Sequence, residues 1–160
     1  MSNEGQHTAA SALNLVDYFM GEHRACDSGW ADVEAAADAG DVPTMATHWL
    51  RFRNALLRHL AMEEQLMFPA FEAATGMANA GPTQVMRMEH EQMRGVLDQM
   101  SAAVERGDAE ELMDQGDTLS ILIQQHNMKE EGMLYPMAER ALEGGWPELR
   151  GQLDSFELDA

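Results

Sequence analysis

Cysteine is all but missing from this chain of 160 residues: Cys26 stands alone. An internal disulfide, a CxxC redox pair and a cysteine-rich zinc site are therefore excluded, and any metal must be held by histidine and carboxylate. Strand signals are nearly absent too, with few β-branched runs, no alternating segments and no Asn-Gly or Asp-Gly hairpin turn. Positive charge is scarce, since ten Lys and Arg face 28 Asp and Glu for a formal charge of −18. That charge opposes phosphate backbones and anionic bilayers, so neither nucleic acid nor a membrane is expected as a partner. No stretch approaches the roughly 18 apolar residues of a membrane span. The opening MSNEGQHTAAS lacks the basic start and apolar run of a signal peptide, so a cytoplasmic location is expected.

What is present is helical periodicity. Apolar residues recur at helical spacing in four segments, about 9 to 38, 41 to 73, 82 to 106 and 108 to 142. Gly40-Asp41 and Gly107-Asp108 each set a C-terminal glycine before a good N-cap residue, and Gly76 to Pro82 makes one longer connection. Short connections make sequential helices antiparallel neighbours, so the expected fold is all-α, an up-down-up-down antiparallel four-helix bundle. The bundle is expected over residues 1–143, with 144–160 as an acidic tail carrying a short helix. The fourteen methionines read as core gap-fillers, as does Cys26.

The two halves of the chain align on one another without a gap. Under a single offset Glu22-His23 falls on Glu89-His90, Gly40-Asp41 on Gly107-Asp108, His59 on His126, Glu63-Glu64 on Glu130-Glu131, Pro69 on Pro136 and Glu72 on Glu139. Each half carries a His and then, at the same distance, His-x-x-x-Glu. The other two histidines are not repeated: His7 would land on Ala74 and His48 on Gln115. His48 also lies eleven residues before His59, about 16 Å along the helix at 1.5 Å per residue, too far to share a site.

Residues four apart share a helix face, so His59 with Glu63 and His126 with Glu130 each aim two donors inward. Those faces are apolar, running Phe52, Leu56, His59, Glu63, Leu66, Ala70 on helix two and Leu119, Leu122, His126, Glu130, Met133, Met137 on helix four. The stretch from His23 to Gly40 and the stretch from Asp41 to His59 are matched to within one position, and the second half repeats both. Equal distances from an antiparallel turn mean equal height, so each half brings two histidines and a glutamate to one core layer. Two ionised carboxylates in an apolar core demand a cation, and no Lys or Arg lies on these stripes beside them. The expected metal ligands are His23, His59, Glu63, His90, His126 and Glu130. Imidazole plus carboxylate suits iron, manganese or zinc. If both glutamates bridge two metals, the protein supplies four bonds to each; a further bridge makes five, and an octahedral ion keeps a position open to dioxygen, nitric oxide or peroxide.

These residues resemble the hemerythrin-like, HHE cation-binding family over about residues 11 to 142: a His on helix one, His-x-x-x-Glu on helix two, a His on helix three and His-x-x-x-Glu on helix four. The resemblance implies two iron ions with an oxo or hydroxo bridge, held by those six side chains. Oxygen-carrying hemerythrins have a second histidine one turn after the helix-three histidine, where this chain has Arg94. The four-histidine, two-glutamate set is more similar to the repair-of-iron-centres proteins, linked to oxidative and nitrosative stress. The resemblance thus implies a di-iron protein that binds or reacts with dioxygen, peroxide or nitric oxide, or supplies iron; the alternative is an oxygen or iron sensor without turnover. No catalytic base or substrate pocket is legible. Glu22 and Glu89 are read as orienting imidazoles or as solvated charge, Asp27 and Arg94 as a pair across the cavity or, for Asp27, an extra ligand. Tyr18 and Tyr135 are read as hydrogen-bond donors to a bound oxygen species or to nearby carbonyls.

Overall fold

The structure is a computed structural model that describes residues 13–78 and 80–158. Four helical rods succeed one another. The first is α1 (Leu15–Asp38). The second joins α2 (Val42–Met62), a π turn (Glu63–Met67) and α3 (Phe68–Thr75), and the third is α4 (Pro82–Glu105). The fourth joins α5 (Ala109–Lys129), a second π turn (Glu130–Leu134) and α6 (Tyr135–Ala141). A 3₁₀ turn (Glu143–Gly145) then leads into α7 (Trp146–Asp154), and no strand occurs among the described residues. The first rod packs on the second and the third on the fourth, and α1 against α6 and α2 against α4 close the expected four-helix bundle.

The helix limits have local causes. Asn14 caps α1 by accepting from the Asp17 N–H at 2.8 Å. The described helix therefore begins at Leu15 rather than near residue 9, and residues 9–12 lie outside the described residues, as does His7. Both interhelical glycines are left-handed, φ 70° at Gly40 and 67° at Gly107, which a residue without Cβ adopts cheaply. The next N–H closes each turn, Asp41 to the Ala36 carbonyl and Asp108 to the Ala103 carbonyl. Asp41 and Asp108 then accept from the N–H groups of Thr44 and Glu111, starting α2 and α5. One turn is thus built twice, once in each half of the repeat.

The π turns correct the expected inward stripes. Each begins at a repeated glutamate and ends where the N–H of Phe68, or of Tyr135, reaches back five residues to the carbonyl of Glu63 or Glu130. Pro69 and Pro136 come directly after. A proline inside an α-helix lacks the N–H for, and collides with, the carbonyl four residues back, and the wider π turn relieves that crowding. The inserted residue rotates the remainder of each rod. Met67, Phe68 and Phe71 are buried where Leu66 and Ala70 were expected, and Leu134, Tyr135 and Ala138 where Met133 and Met137 were; Met133 is 48% exposed.

Two apolar clusters result. One gathers Val33, Met45, Trp49, Phe52, Leu56, Leu60, Met93, Leu97 and Leu119 toward the tight-turn end. The other gathers Leu15, Phe19, Met67, Phe68, Phe71, Met86, Leu134 and Tyr135. The C-terminal segment contributes to the second cluster, because α7 buries Leu149 and Leu153 in it. Arg58 also donates to the Leu153 and Phe156 carbonyls, and the Trp146 indole donates to the carbonyl of Leu13.

Candidate metal centre

Between the two clusters lies a polar layer. Among the described residues the buried polar and charged side chains are Thr83 and six others: His23, His59, Glu63, His90, His126 and Glu130. The bundle has brought together the residues that the repeat singled out, His23 from α1, His59 from α2, His90 from α4, His126 from α5, and each glutamate from the first position of a π turn. Their donor atoms form two groups within which all lie less than 4.8 Å apart, Glu63, His90, His126 and Glu130 in one, His23, His59 and Glu130 in the other. Glu130 belongs to both. Its Oε1 lies 3.1 Å from His23 Nε2 and 3.0 Å from His126 Nε2. Glu63 Oε1 likewise lies 3.3 Å from Nε2 of both His59 and His90. Each carboxylate therefore spans one histidine from each half.

Several of these contacts are close without being hydrogen bonds. His59 Nδ1 and Nε2, Glu63 Oε1 and Glu130 Oε2 are buried with no hydrogen-bond partner, although Glu63 Oε1 is near two imidazoles. Buried polar atoms are ordinarily paired, and leaving one unpaired costs about 1–3 kcal/mol. Donor atoms crowded at 3.3 Å without hydrogen-bonding one another lack a partner in the protein, and each group is close enough together to share one ion. A cation there would satisfy all of them, so the residues present fit a metal, and their nitrogen and oxygen chemistry fits iron, manganese or zinc.

Carboxylates hold three of the four imidazoles from behind. Nδ1 of His23 donates to Glu131 at 2.8 Å, that of His90 to Glu64 at 2.7 Å, and that of His126 to Glu89 at 2.9 Å. An ionised carboxylate only accepts, so each contact places the proton on Nδ1 and aims Nε2 at the cluster. Burial alone would depress the histidines. The hydrogen bonds and charges of Glu130 and Glu131 outweigh it at His23, and the close carboxylate of Glu63 with the hydrogen bond of Glu64 outweighs it at His90, raising both to about 9 in the absence of a cation. Glu63 is held well below the usual carboxylate range despite complete burial, chiefly by the charge of His59.

The orienting roles of Glu64 and Glu131 are signalled in the sequence only by their repetition beside Glu63 and Glu130. Of Glu22 and Glu89, only Glu89 orients an imidazole, and it also accepts from Lys129. Glu22 faces Arg58 at 3.8 Å instead, leaving His59 Nδ1 bare. The expected Asp27–Arg94 pair does not form: Arg94 holds Glu64 through two contacts of 2.8 Å and also binds Glu91, while Asp27 is exposed. Positive charge already engaged with Glu64 cannot reach across to α1. Tyr18 Oη donates to Asp154, away from the cluster. Tyr135 Oη sits inside it, 2.8 Å from Glu63 Oε2. Burial, with Glu22 and Asp27 nearby, pushes the Cys26 thiol up to about 12, in keeping with a packing role. His48 is half-buried and outside both donor groups.

The asymmetry between Glu89 and Glu22 gives a direct test. Glu89→Gln is expected to weaken metal binding about 10–100-fold, the usual cost of losing a carboxylate behind a ligating imidazole. Glu22→Gln is expected to leave the affinity unchanged. Competition titrations with a chromophoric chelator measure both, and equal losses would show that the 3.8 Å contact of Glu22 with Arg58 does not describe its role.

On the side of the first apolar cluster the donors face a cavity of about 10 Å³ lined by residues including His23, Cys26, His59, Ile123 and His126. That is about the space of one water-sized molecule. A cleft of about 220 Å³ shares Cys26 and Ile123 with this cavity as lining residues. No described helix is long and apolar enough to cross a membrane. A family model, Hemerythrin HHE cation binding domain, matches residues 14–138. Comparisons with curated proteins and with solved structures give no match.

Proposed function

The chain belongs to the hemerythrin HHE cation-binding family, and from that premise we propose that it is a non-haem di-iron protein whose centre binds or reacts with dioxygen, peroxide or nitric oxide. The observation that carries this reading is the pair of donor groups sharing Glu130, with buried lone pairs that have no partner in the protein. His23 and His59 would hold one ion, His90 and His126 the other, with Glu63 and Glu130 between them. Two irons, when bound, supply electrons one at a time and a coordination position open to a diatomic ligand.

The chain's own groups do the rest. Glu131, Glu64 and Glu89 fix the tautomer and ring orientation of three imidazoles, so that Nε2 faces the cluster with little reorganisation. Burial excludes bulk water, and the cavity of about 10 Å³ beside His23, His59 and His126, about one water-sized molecule, favours the smallest ligands over organic substrates. The set of four histidines and two glutamates, shared with repair-of-iron-centres proteins, favours oxidative or nitrosative stress as the setting. The charge of −18 disfavours nucleic acid and anionic membranes as partners.

Protein purified without added metal, or reconstituted anaerobically with ferrous iron, is expected to hold about two irons per chain, as its two donor groups require. Its visible spectrum is expected to change on exposure to air and, after reduction, on addition of nitric oxide. Iron bound without any response to these ligands would leave a closed, structural metal site. Failure to hold metal at all would overturn the reading.

A further inference from the structure

The repeat is broken at one place inside the donor cluster. Under the offset that lays His23 on His90, Phe68 falls on Tyr135, and the two rings occupy matching positions. Phe68 stacks beside His90 at 5.6 Å, and Tyr135 lies beside His23 at 5.5 Å. One half therefore presents a bare ring to its histidine and the other a hydroxyl. The π turn is what aims that hydroxyl. Because the Tyr135 N–H bonds back to the Glu130 carbonyl, the side chain returns over the residue five before it, where an α-turn would have carried it past.

Tyr135 Oη has three close neighbours, Glu63 Oε2 at 2.8 Å, Glu130 Oε1 at 3.0 Å and His23 Nε2 at 3.0 Å. A phenol owns one proton, so it can donate to one carboxylate but not to both. The second oxygen–oxygen contact is repulsive in a dry core unless a cation, the protonated His23 or a metal ion in its place, lies among these atoms. Their arrangement has the dimensions of such a site. Oη, Glu130 Oε1 and His23 Nε2 form a triangle with edges of 3.0, 3.0 and 3.1 Å. Adjacent ligands of an octahedral ion with bonds of about 2.0–2.2 Å lie √2 times that apart, about 2.8–3.1 Å. No corresponding oxygen exists beside His90, where Phe68 stands.

We propose that Tyr135 is a seventh protein donor, binding through its phenolate oxygen the ion held by His23, His59 and Glu130, so that the two metal positions are chemically unequal. The inference rests on the metal-binding reading above. In the step that forms it, the Tyr135 O–H bond breaks, an oxygen–metal bond forms, and the proton passes to solvent with no change in oxidation state. A further anionic oxygen favours the ferric form at that position. The ion beside His90 and His126 lacks this ligand and is left as the more easily reduced of the two.

The test is resonance Raman spectroscopy of the full chain loaded with ferric iron, with iron per chain measured on the same samples. Tyrosine ring modes enhanced by visible excitation are expected in the wild type and lost in Tyr135→Phe. The variant should fold, because phenylalanine already fills the equivalent position at Phe68. The chain has two tyrosines, and Tyr18→Phe is expected to keep the modes, since Tyr18 donates to Asp154 outside the cluster. Wild-type protein that holds iron but shows no tyrosine modes would overturn this inference alone and leave Tyr135 as a hydrogen-bond donor to Glu63. Modes that disappear with Tyr18 instead would also overturn it. Wild-type protein that holds no iron would overturn the metal-binding reading together with it.

Discussion

Glu130→Gln is expected to empty both metal positions at once, whereas His23→Gln empties only the one that His23 serves. Glu130 alone appears in both donor groups. Its Oε1 is close to a histidine of each half, and its Oε2 is buried without a partner. The amide keeps the size of the side chain but removes its negative charge. It also replaces one acceptor oxygen by an NH₂ that would point hydrogens at a cation. Losing a carboxylate behind a ligand typically costs about 10–100-fold in affinity, so losing a charged donor between two ions should cost well over roughly 100-fold. Metal analysis of dialysed protein should therefore find almost none bound to Glu130→Gln and about one ion per chain in His23→Gln. The helical far-ultraviolet signal of both variants should match wild type, because the apolar clusters on either side are untouched. Two ions retained by Glu130→Gln would show that Glu63 alone joins the halves.

The six candidate donors stand out in the sequence because an apolar stripe and repetition act together. One histidine on an apolar stripe is ordinary, but His23, His59, Glu63 and their counterparts recur at one offset and at one height above matching Gly-Asp turns. The features that escaped the sequence have a common physical origin in rotation about the helix axis. A window that scores a period of about 3.6 residues averages over a single inserted residue. A helical period therefore puts the stripe beyond Glu63 on Leu66 and Ala70, whereas the π turn rotates Met67 and Phe68 inward. Pro69 and Pro136 carried that information, since a proline six residues after each glutamate must disturb the helix somewhere before it.

The same rotation separates Tyr18 from Tyr135. Both were candidate donors by residue type, yet only Tyr135 succeeds a π turn and comes to lie over the glutamates. Side-chain choice explains the other surprises. Glu89 reaches His126 while Glu22 meets Arg58, and the first half has Met62 where the second has Lys129, so the two glutamates face different cations. The docking of the C-terminal helix was not legible in the sequence. Leu149 and Leu153 are only two apolar residues one turn apart, and their partners in the second cluster come from distant parts of the chain.

Chelating the metal should lower the melting temperature by roughly 8–16 °C while leaving the helical content nearly unchanged at room temperature. The shift is a linkage effect. A ligand at a thousand times its dissociation constant stabilises the native state by about 4.1 kcal/mol, and each kcal/mol moves the midpoint of a chain this size by about 2–4 °C. The polar layer makes the loss specific. Without a cation it leaves several buried nitrogen and oxygen atoms unpaired, and two carboxylates must share the protons of the imidazoles around them. The helical content survives because of where that layer sits. One apolar cluster lies on each side of it, both interhelical turns are closed by their own backbone hydrogen bonds, and none of these requires the ion. The chelated protein should therefore remain a bundle weakened at its middle. Hydrogen exchange should be fastest, relative to the metal-loaded form, at the two π turns, where each i+5 bond holds a proposed ligand, Glu63 or Glu130, in place. Calorimetry of chelated and metal-loaded samples, with free metal buffered at two concentrations, checks the size of the shift and its dependence on concentration. Coincident melting curves would mean that the six buried side chains stabilise one another without a metal.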